Sequence, residues 1–326
     1  MRPAFSVLFL TTLIGIGQGL LVALSVGQWI ETIGWAPVDP NGNFIAYGAV
    51  VAVVFLGLGL FASFFHLANP QRAWRAATRW RTSWLSREVL LLPVVIGLGL
   101  VYALIQYFNV QPALVTFANG ESVTLGLVVG TVAALAALLL FVVTGMIYAC
   151  VKFIREWASA WTVINFMIMG LASGSAVAAI CANLEGGVLA RFYLFAALVL
   201  TVVALATRSY QIWLNSRLAL KSTLKTAIGQ HHQQIRQISQ GFMGSSFNNK
   251  EFSAPGGRDA VRGTTVAFLF FAFLLPAALM IVALGHGGLV VLASAAAIQY
   301  LGLLVERWAF FAQGQHVQNL YYQGKA

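Results

Sequence analysis

Charge is what this sequence has least of. Lys, Arg, Asp and Glu make up only 9% of its 326 residues, whereas 60% are hydrophobic. A soluble chain of this length needs several times that charge to cover its surface, so a globular enzyme is excluded. Cysteine is nearly absent too. Cys150 and Cys181 fall in or at the ends of apolar runs, with no CxxC spacing and no adjacent histidine. They cannot hold an iron–sulfur cluster, and the simplest reading is two small buried hydrophobes. No GxxxxGK[ST] occurs and no polar segment is long enough for a nucleotide-binding domain, which removes ATP-driven transport. The strand-like alternation of a β-barrel is missing as well.

What the chain does have is long apolar runs. A membrane-spanning helix needs about 20 such residues, and eight runs qualify, at about 5–30, 44–65, 89–108, 123–148, 161–183, 191–213, 264–284 and 288–306. The expected fold is therefore an all-α integral membrane protein, a single domain over 1–326 with eight transmembrane helices. The first run is too long for a signal-peptide core and is read as a retained span.

The net charge of +10 is distributed in a way that argues for membrane orientation and against nucleic acid. When the connections are numbered alternately, one set holds 18 of the 19 basic residues and the other only Arg191. By the positive-inside rule, both termini and the long loops 66–88 and 214–263 are expected in the cytoplasm.

The stretch 66–88 carries the most chemistry. It opens on His66, closes on Glu88, and holds Arg72, Arg75, Arg79, Arg81 and Arg87 with Trp74, Trp80 and Trp84. Asn69 suits an N-cap and Pro70 a first helical residue. On a 100° wheel, Ala73, Ala76, Ala77, Trp80 and Trp84 share one face, opposite Arg72, Arg75 and Arg79. The pattern predicts a short amphipathic interfacial helix at about 70–85, tryptophans toward lipid and arginines toward water, anchoring the chain, docking a partner, or both. Ser86 is expected to cap the third span, with Glu88 in its first turn.

A lone histidine at a helix end is more often interfacial than functional, and an acid in a first turn commonly complements the helix dipole. The pairing of the two changes the balance. The second and third spans are consecutive and antiparallel, so His66 and Glu88 lie at the same membrane depth. Quinone chemistry moves two electrons and two protons, and the ring oxygens need hydrogen-bonding groups that exchange protons, as imidazole and a partly buried carboxylate can. Bis-histidine haem needs facing histidines inside spans. Of His66, His231, His232, His286 and His316 only the first touches a span, so no haem and no metal is expected. Glu306 and Arg307 close the eighth span; such an adjacent pair is usually structural, with a place in a quinone pocket or a docking surface as the other reading. Secondary transport finds little support, because no Asp, Glu, Lys or His lies at a span centre. It remains the alternative beside a purely structural tether.

At HLANPQRAWRA (66–76), SWLSRE (83–88) and ERWAFFAQGQHVQNLYYQ (306–323) the chain resembles the DMSO reductase anchor-subunit family. The resemblance implies a haem-free eight-helix anchor in the bacterial inner membrane. Such an anchor holds a four-cluster iron–sulfur subunit and a molybdopterin catalytic subunit, and reacts with menaquinone or ubiquinone. It also implies that the family's menaquinol-site histidine and essential glutamate fall on His66 and Glu88; from the basic loop itself, Arg72, Arg75 and Arg79 are expected to bind the iron–sulfur subunit. Two features depart from the family's best-known members: the charge map puts the docking motifs in the cytoplasm, and GFMGSSFNNKEF (241–252) is not a feature associated with those enzymes. Both favour a cytoplasmic-facing relative of the sulfite dehydrogenase type.

Overall fold

The computed structural model describes residues 3–35, 43–67, 69–116, 122–185, 189–218, 223–230, 235, 257–286 and 288–316. Most of the 214–263 loop lies outside them, including His231, His232 and the 241–252 segment, as does the chain beyond 316.

Eight of the described helices are long and apolar enough to cross a membrane, so the eight-span expectation holds. They are α1 (Phe5–Thr32), α2 (Asn43–Ser63), α3 (Trp84–Tyr107), α4 (Leu125–Ala149), α5 (Ala160–Leu184), α6 (Ala190–Ser216), α7 and α8 (Leu289–Gln313). Helix α7 is composite: Gly257–Phe268, a π-helical turn Leu269–Leu274, then Leu275–His286. With no water in a bilayer, each span must satisfy its own backbone, and helices do so.

The packing falls into two four-helix groups. In one, α1 packs on α2 and α4 while α3 closes the ring against both; in the other, α5 and α7 flank α6, and α8 packs on α5 and α7. The groups meet where α1 lies on α5. Glycines permit that crossing. A Cβ on Gly19 would lie 2.7 Å from the Gly170 carbonyl carbon and 3.1 Å from Leu171 Cα, and one on Gly174 would collide with the Gly19 backbone. Gly15-x-x-x-Gly19 and Gly170-x-x-x-Gly174 are paired small-residue motifs that let two backbones touch.

Helix ends differ from expectation in ways that matter for the site. The cap of α3 is Ser83, whose hydroxyl accepts from Ser86 N at 3.3 Å, rather than Ser86 itself. The span therefore starts a turn earlier, and Glu88 belongs to its buried body and not to its first turn. Helix α8 runs seven residues past the expected end at 306, so Glu306 and Arg307 are enclosed within it.

The segment after α2 is a 3-10 turn, Phe64–His66, followed by a 3-10 helix, Pro70–Arg79, in place of the expected α-helix. Asn69 occupies the N-cap position with its carbonyl accepting from Arg72 N at 3.0 Å, but its side chain makes no cap bond. An antiparallel pair, β1 (Ala113–Thr116) and β2 (Ser122–Thr124), joins α3 to α4, a hairpin that the apolar runs do not announce. Both cysteines are free; Cys181 is buried, whereas Cys150 is exposed at the end of α4 and not buried as expected.

The α1–α5 crossing gives a direct test. Gly19→Ala should cost about 1–3 kcal/mol, because backbone and not a flexible side chain blocks the added methyl. Gly57→Ala, which meets nothing within 4 Å, should be neutral or stabilising. Thermal unfolding in detergent measures both.

Candidate functional site

Helix direction puts the ends of α2, α4, α6 and α8 and the starts of α1, α3, α5 and α7 on one membrane face, and every residue singled out above from the 66–88 stretch and from α8 lies there.

His66 ends the 3-10 turn that continues α2. It is exposed, and its turn packs on α1 and α2. Phe65, beside it, helps line an apolar groove of about 420 Å³ between α1 and α2, walled also by Phe5, Phe9, Leu58 and Phe61. The Phe61 and Phe65 rings meet edge-on at 5.2 Å. Glu88 has the opposite environment. It is 6% exposed and faces α4, where Thr144 Oγ1 donates to its Oε1 at 2.6 Å. The two residues share a membrane face, but among the described residues no hydrogen bond joins them. The structure offers an exposed imidazole beside an apolar groove and, on the neighbouring helix, a carboxylate held inside the bundle.

Between them runs the basic segment. Arg72, Arg75 and Arg79 are all exposed. The tryptophans of the segment are also engaged by nearby arginines. Trp74 and Trp80 are exposed, and each tryptophan has an arginine over its ring: Arg75 on Trp74 at 5.8 Å, Arg81 on Trp80 at 5.4 Å, Arg87 on Trp84 at 4.1 Å. Each ring is thus held by a guanidinium from within three residues of it in the chain. Arg87 also donates to the carbonyls of Trp80 and Arg81 at 3.0 and 2.9 Å, tying the segment to the start of α3.

Glu306 and Arg307 form part of a buried ionic cluster. Glu306 is 0% exposed; its Oε1 lies 2.7 Å from Arg208 Nε and its Oε2 3.0 Å from Arg307 Nη1. Arg208 Nη1 and Asn165 Nδ2 both donate to Gln211 Oε1 at 2.8 Å, and Gln211 Nε2 donates to Thr162 Oγ1 at 3.1 Å. The Arg307 guanidinium sits 3.6 Å from the centre of the Phe166 ring. Two guanidiniums around one carboxylate leave one positive charge in the bundle. The sequence pointed to Glu306 and Arg307 but not to the Asn165–Gln211–Thr162 network, whose members stand in apolar runs without a spacing motif.

Tyr148, the penultimate residue of α4, was missed as well. Its half-buried ring is boxed by Trp157, Phe166, Phe310 and Phe311 at 5.2 to 5.9 Å, and Phe166 also carries the Arg307 guanidinium on its face. Trp157 Nε1 donates to the Phe310 carbonyl at 2.9 Å, closing the 150–159 connection over α8. His316, beyond α8, rests against Phe153 at 5.3 Å, and partial burial draws its pKa below the ordinary imidazole value. Among the described residues no group of three or more His, Cys, Asp or Glu is placed to hold a metal.

A family model described as DMSO reductase anchor subunit (DmsC) matches residues 6–306. The chain belongs to that family. It is a multi-pass membrane anchor subunit. A sulfite dehydrogenase subunit of Allochromatium vinosum is 43% identical to it over 328 residues, covering the full length of both.

Glu306→Ala would leave two guanidiniums buried without their shared counter-ion. A loss of about 3–5 kcal/mol is expected, read as a lowered unfolding midpoint in detergent.

Proposed function

We propose that this chain is the quinone-reactive anchor of a heterotrimeric molybdopterin oxidoreductase of the sulfite dehydrogenase type. It takes electrons from a four-cluster iron–sulfur subunit and delivers them to ubiquinone or menaquinone at the face formed by the ends of α2 and α3. His66 and Glu88 hydrogen-bond the quinone ring oxygens and supply its protons. The catalytic chemistry resides on the molybdopterin subunit, so this chain binds no haem and no metal.

The observation that carries this reading is the Glu88 carboxylate. Burying an acid inside a membrane bundle is expensive, and such residues are by default functional. Because Ser83 caps α3, the helix-dipole role that would have explained Glu88 as a surface acid does not apply. Thr144 satisfies one oxygen. The exposed imidazole of His66, next to a groove suited to an isoprenoid chain, supplies the second proton-exchanging group. The full-length similarity to a sulfite dehydrogenase subunit supports electron flow into the pool. The family model also favours a second reading, menaquinol oxidation for a reductase, which uses the same residues in reverse.

The 18-to-1 division of basic residues supports placing this face, both termini and the 214–263 loop in the cytoplasm of a bacterium with the chain in its inner membrane. Arg72, Arg75 and Arg79 then face the iron–sulfur subunit. With site and partner on one side, turnover moves little charge across the membrane.

In the purified complex, reduced with dithionite and mixed with decylubiquinone or menadione, His66→Ala and Glu88→Gln should each slow reoxidation of the clusters by about a hundredfold or more while the three subunits still co-purify. Wild-type rates for both would sink the site, and transport of a solute by the chain alone in liposomes would favour a carrier instead. Reversing the charge of Arg72, Arg75 and Arg79 together should release the partner subunits at moderate salt; retention of the partners would remove the docking role.

A further inference from the structure

Glu88 has to be recharged after each turnover. Each quinone reduced takes two electrons from the partner's clusters and two protons, and a carboxyl that has given its proton to a quinone oxygen is left as a buried anion. Glu88 is 6% exposed, and its hydrogen-bond partner among the described residues, Thr144, is also buried. It therefore needs a group that reaches both it and the water.

Helix α4 supplies one. Thr144 and Tyr148 stand four residues apart and so share a face. Thr144 fixes the orientation of Glu88, and Tyr148 stands a turn nearer the membrane surface, its ring 5.5 Å from that of Phe166, on whose face the Arg307 guanidinium lies at 3.6 Å. Helix α4 ends at Ala149, and Cys150 beyond it is exposed, so Tyr148 belongs to the last turn before water. Among the described residues its hydroxyl makes no hydrogen bond, while four aromatic rings hold the ring itself in place.

We propose that the Tyr148 hydroxyl relays protons between water at the 150–159 connection and the Glu88 carboxyl, with the Arg208–Glu306–Arg307 cluster as its counter-charge. This rests on the quinone-site reading of Glu88. In quinone reduction, Tyr148 O–H gives its proton to the Glu88 carboxylate and takes one from water; Glu88 passes its proton to the quinone oxygen. No electron moves through the relay, and quinol oxidation runs it backwards.

The cluster explains why a phenol can serve here. While its proton is in transit the oxygen bears negative charge, and the nearest ionic group carries a net positive charge fixed in a low-dielectric interior. That charge also offsets ionised Glu88, leaving Glu88, Glu306, Arg208 and Arg307 neutral as a set. Other titratable groups at this end of the bundle are exposed or engaged elsewhere, among them Lys152 of the 150–159 connection, which is exposed. From α2 the titratable group is His66, exposed on its own turn. From the 3-10 segment Arg72, Arg75 and Arg79 point to solvent. Arg87 is bonded to backbone carbonyls, and Glu156 in the 150–159 connection accepts from Gln315 N at 3.4 Å.

Tyr148→Phe keeps the aromatic box and removes only the hydroxyl. In the co-purified complex, reoxidation of dithionite-reduced clusters by decylubiquinone should slow by about tenfold or more at unchanged half-saturating quinone. The rate should fall as pH rises across the neutral range, because proton delivery becomes limiting. A wild-type rate and pH profile in Tyr148→Phe, with His66→Ala and Glu88→Gln inactive, overturns the relay and leaves the quinone site standing. Wild-type behaviour in all three overturns both. If Tyr148→Phe fails to assemble, Arg307→Lys against Arg307→Gln decides: loss of rate only when the charge is lost supports the counter-charge, and equal rates overturn it.

Discussion

Backbone contact between α1 and α5 is the constraint from which the rest of the architecture follows. Hydrophobic burial cannot drive helices together within lipid, so close packing has to do so, and the Gly19–Gly170–Gly174 crossing is among the closest approaches in the fold. It seats α1 against both four-helix groups. Gly17 and Gly59 continue the same economy at the α1–α2 contact, where a Cβ would meet Leu56 or Ile14. With the spans locked at their middles, the ends of α3, α4, α6 and α8 are held in fixed relation, and that relation lets charges from three helices sit in one buried neighbourhood beside α4.

The ionic content of the bundle is therefore concentrated near one face. Arg208, Glu306 and Arg307 pair with one another, Glu88 pairs with Thr144, and Tyr148 stands one turn from Thr144 with its ring near Phe166, which Arg307 also touches. A second polar patch lies toward the opposite face, where Tyr102 donates to Gln28 Oε1 at 2.9 Å beside buried Glu31 and Tyr193. Between them the bundle is held by apolar side chains and by isolated amides such as Gln18 and Gln299, the latter donating to Thr201 at 2.8 Å. In the proposed function the first face carries the redox partner and the quinone site, and the spans beneath it serve as scaffold.

The number and approximate limits of the spans were legible because hydropathy over about 20 residues reports them directly. Helix caps were less legible: Ser83 and Ser86 are equally good candidates on paper, and choosing between them decided whether Glu88 was a surface acid or a buried one. The wheel over 70–85 assumed 100° per residue, and a 3-10 helix does not keep that phase. The paired G-x-x-x-G motifs were in plain view, but α1 and α5 are four spans apart in the chain and nothing local announces that they meet. Tyr148 was hidden for the same reason: its importance comes from neighbours on α3 and α8.

The π-helical turn Leu269–Leu274 in α7 adds a final point. It brings the backbone of Phe271 and Ala272 so close to α8 that Gly302 admits no side chain. A π-turn also carries one residue more than an α-helix needs over the same rise. Among the described spans, α7 is thus the one that holds a spare residue in its interior. Loss of a single residue there would restore regular winding while leaving the lipid-facing and bundle-facing stripes on either side in phase. Elsewhere in the eight spans, one residue lost would rotate everything beyond it by about 100°. For this fold, length variation inside a membrane helix is tolerable at that turn and damaging at the others.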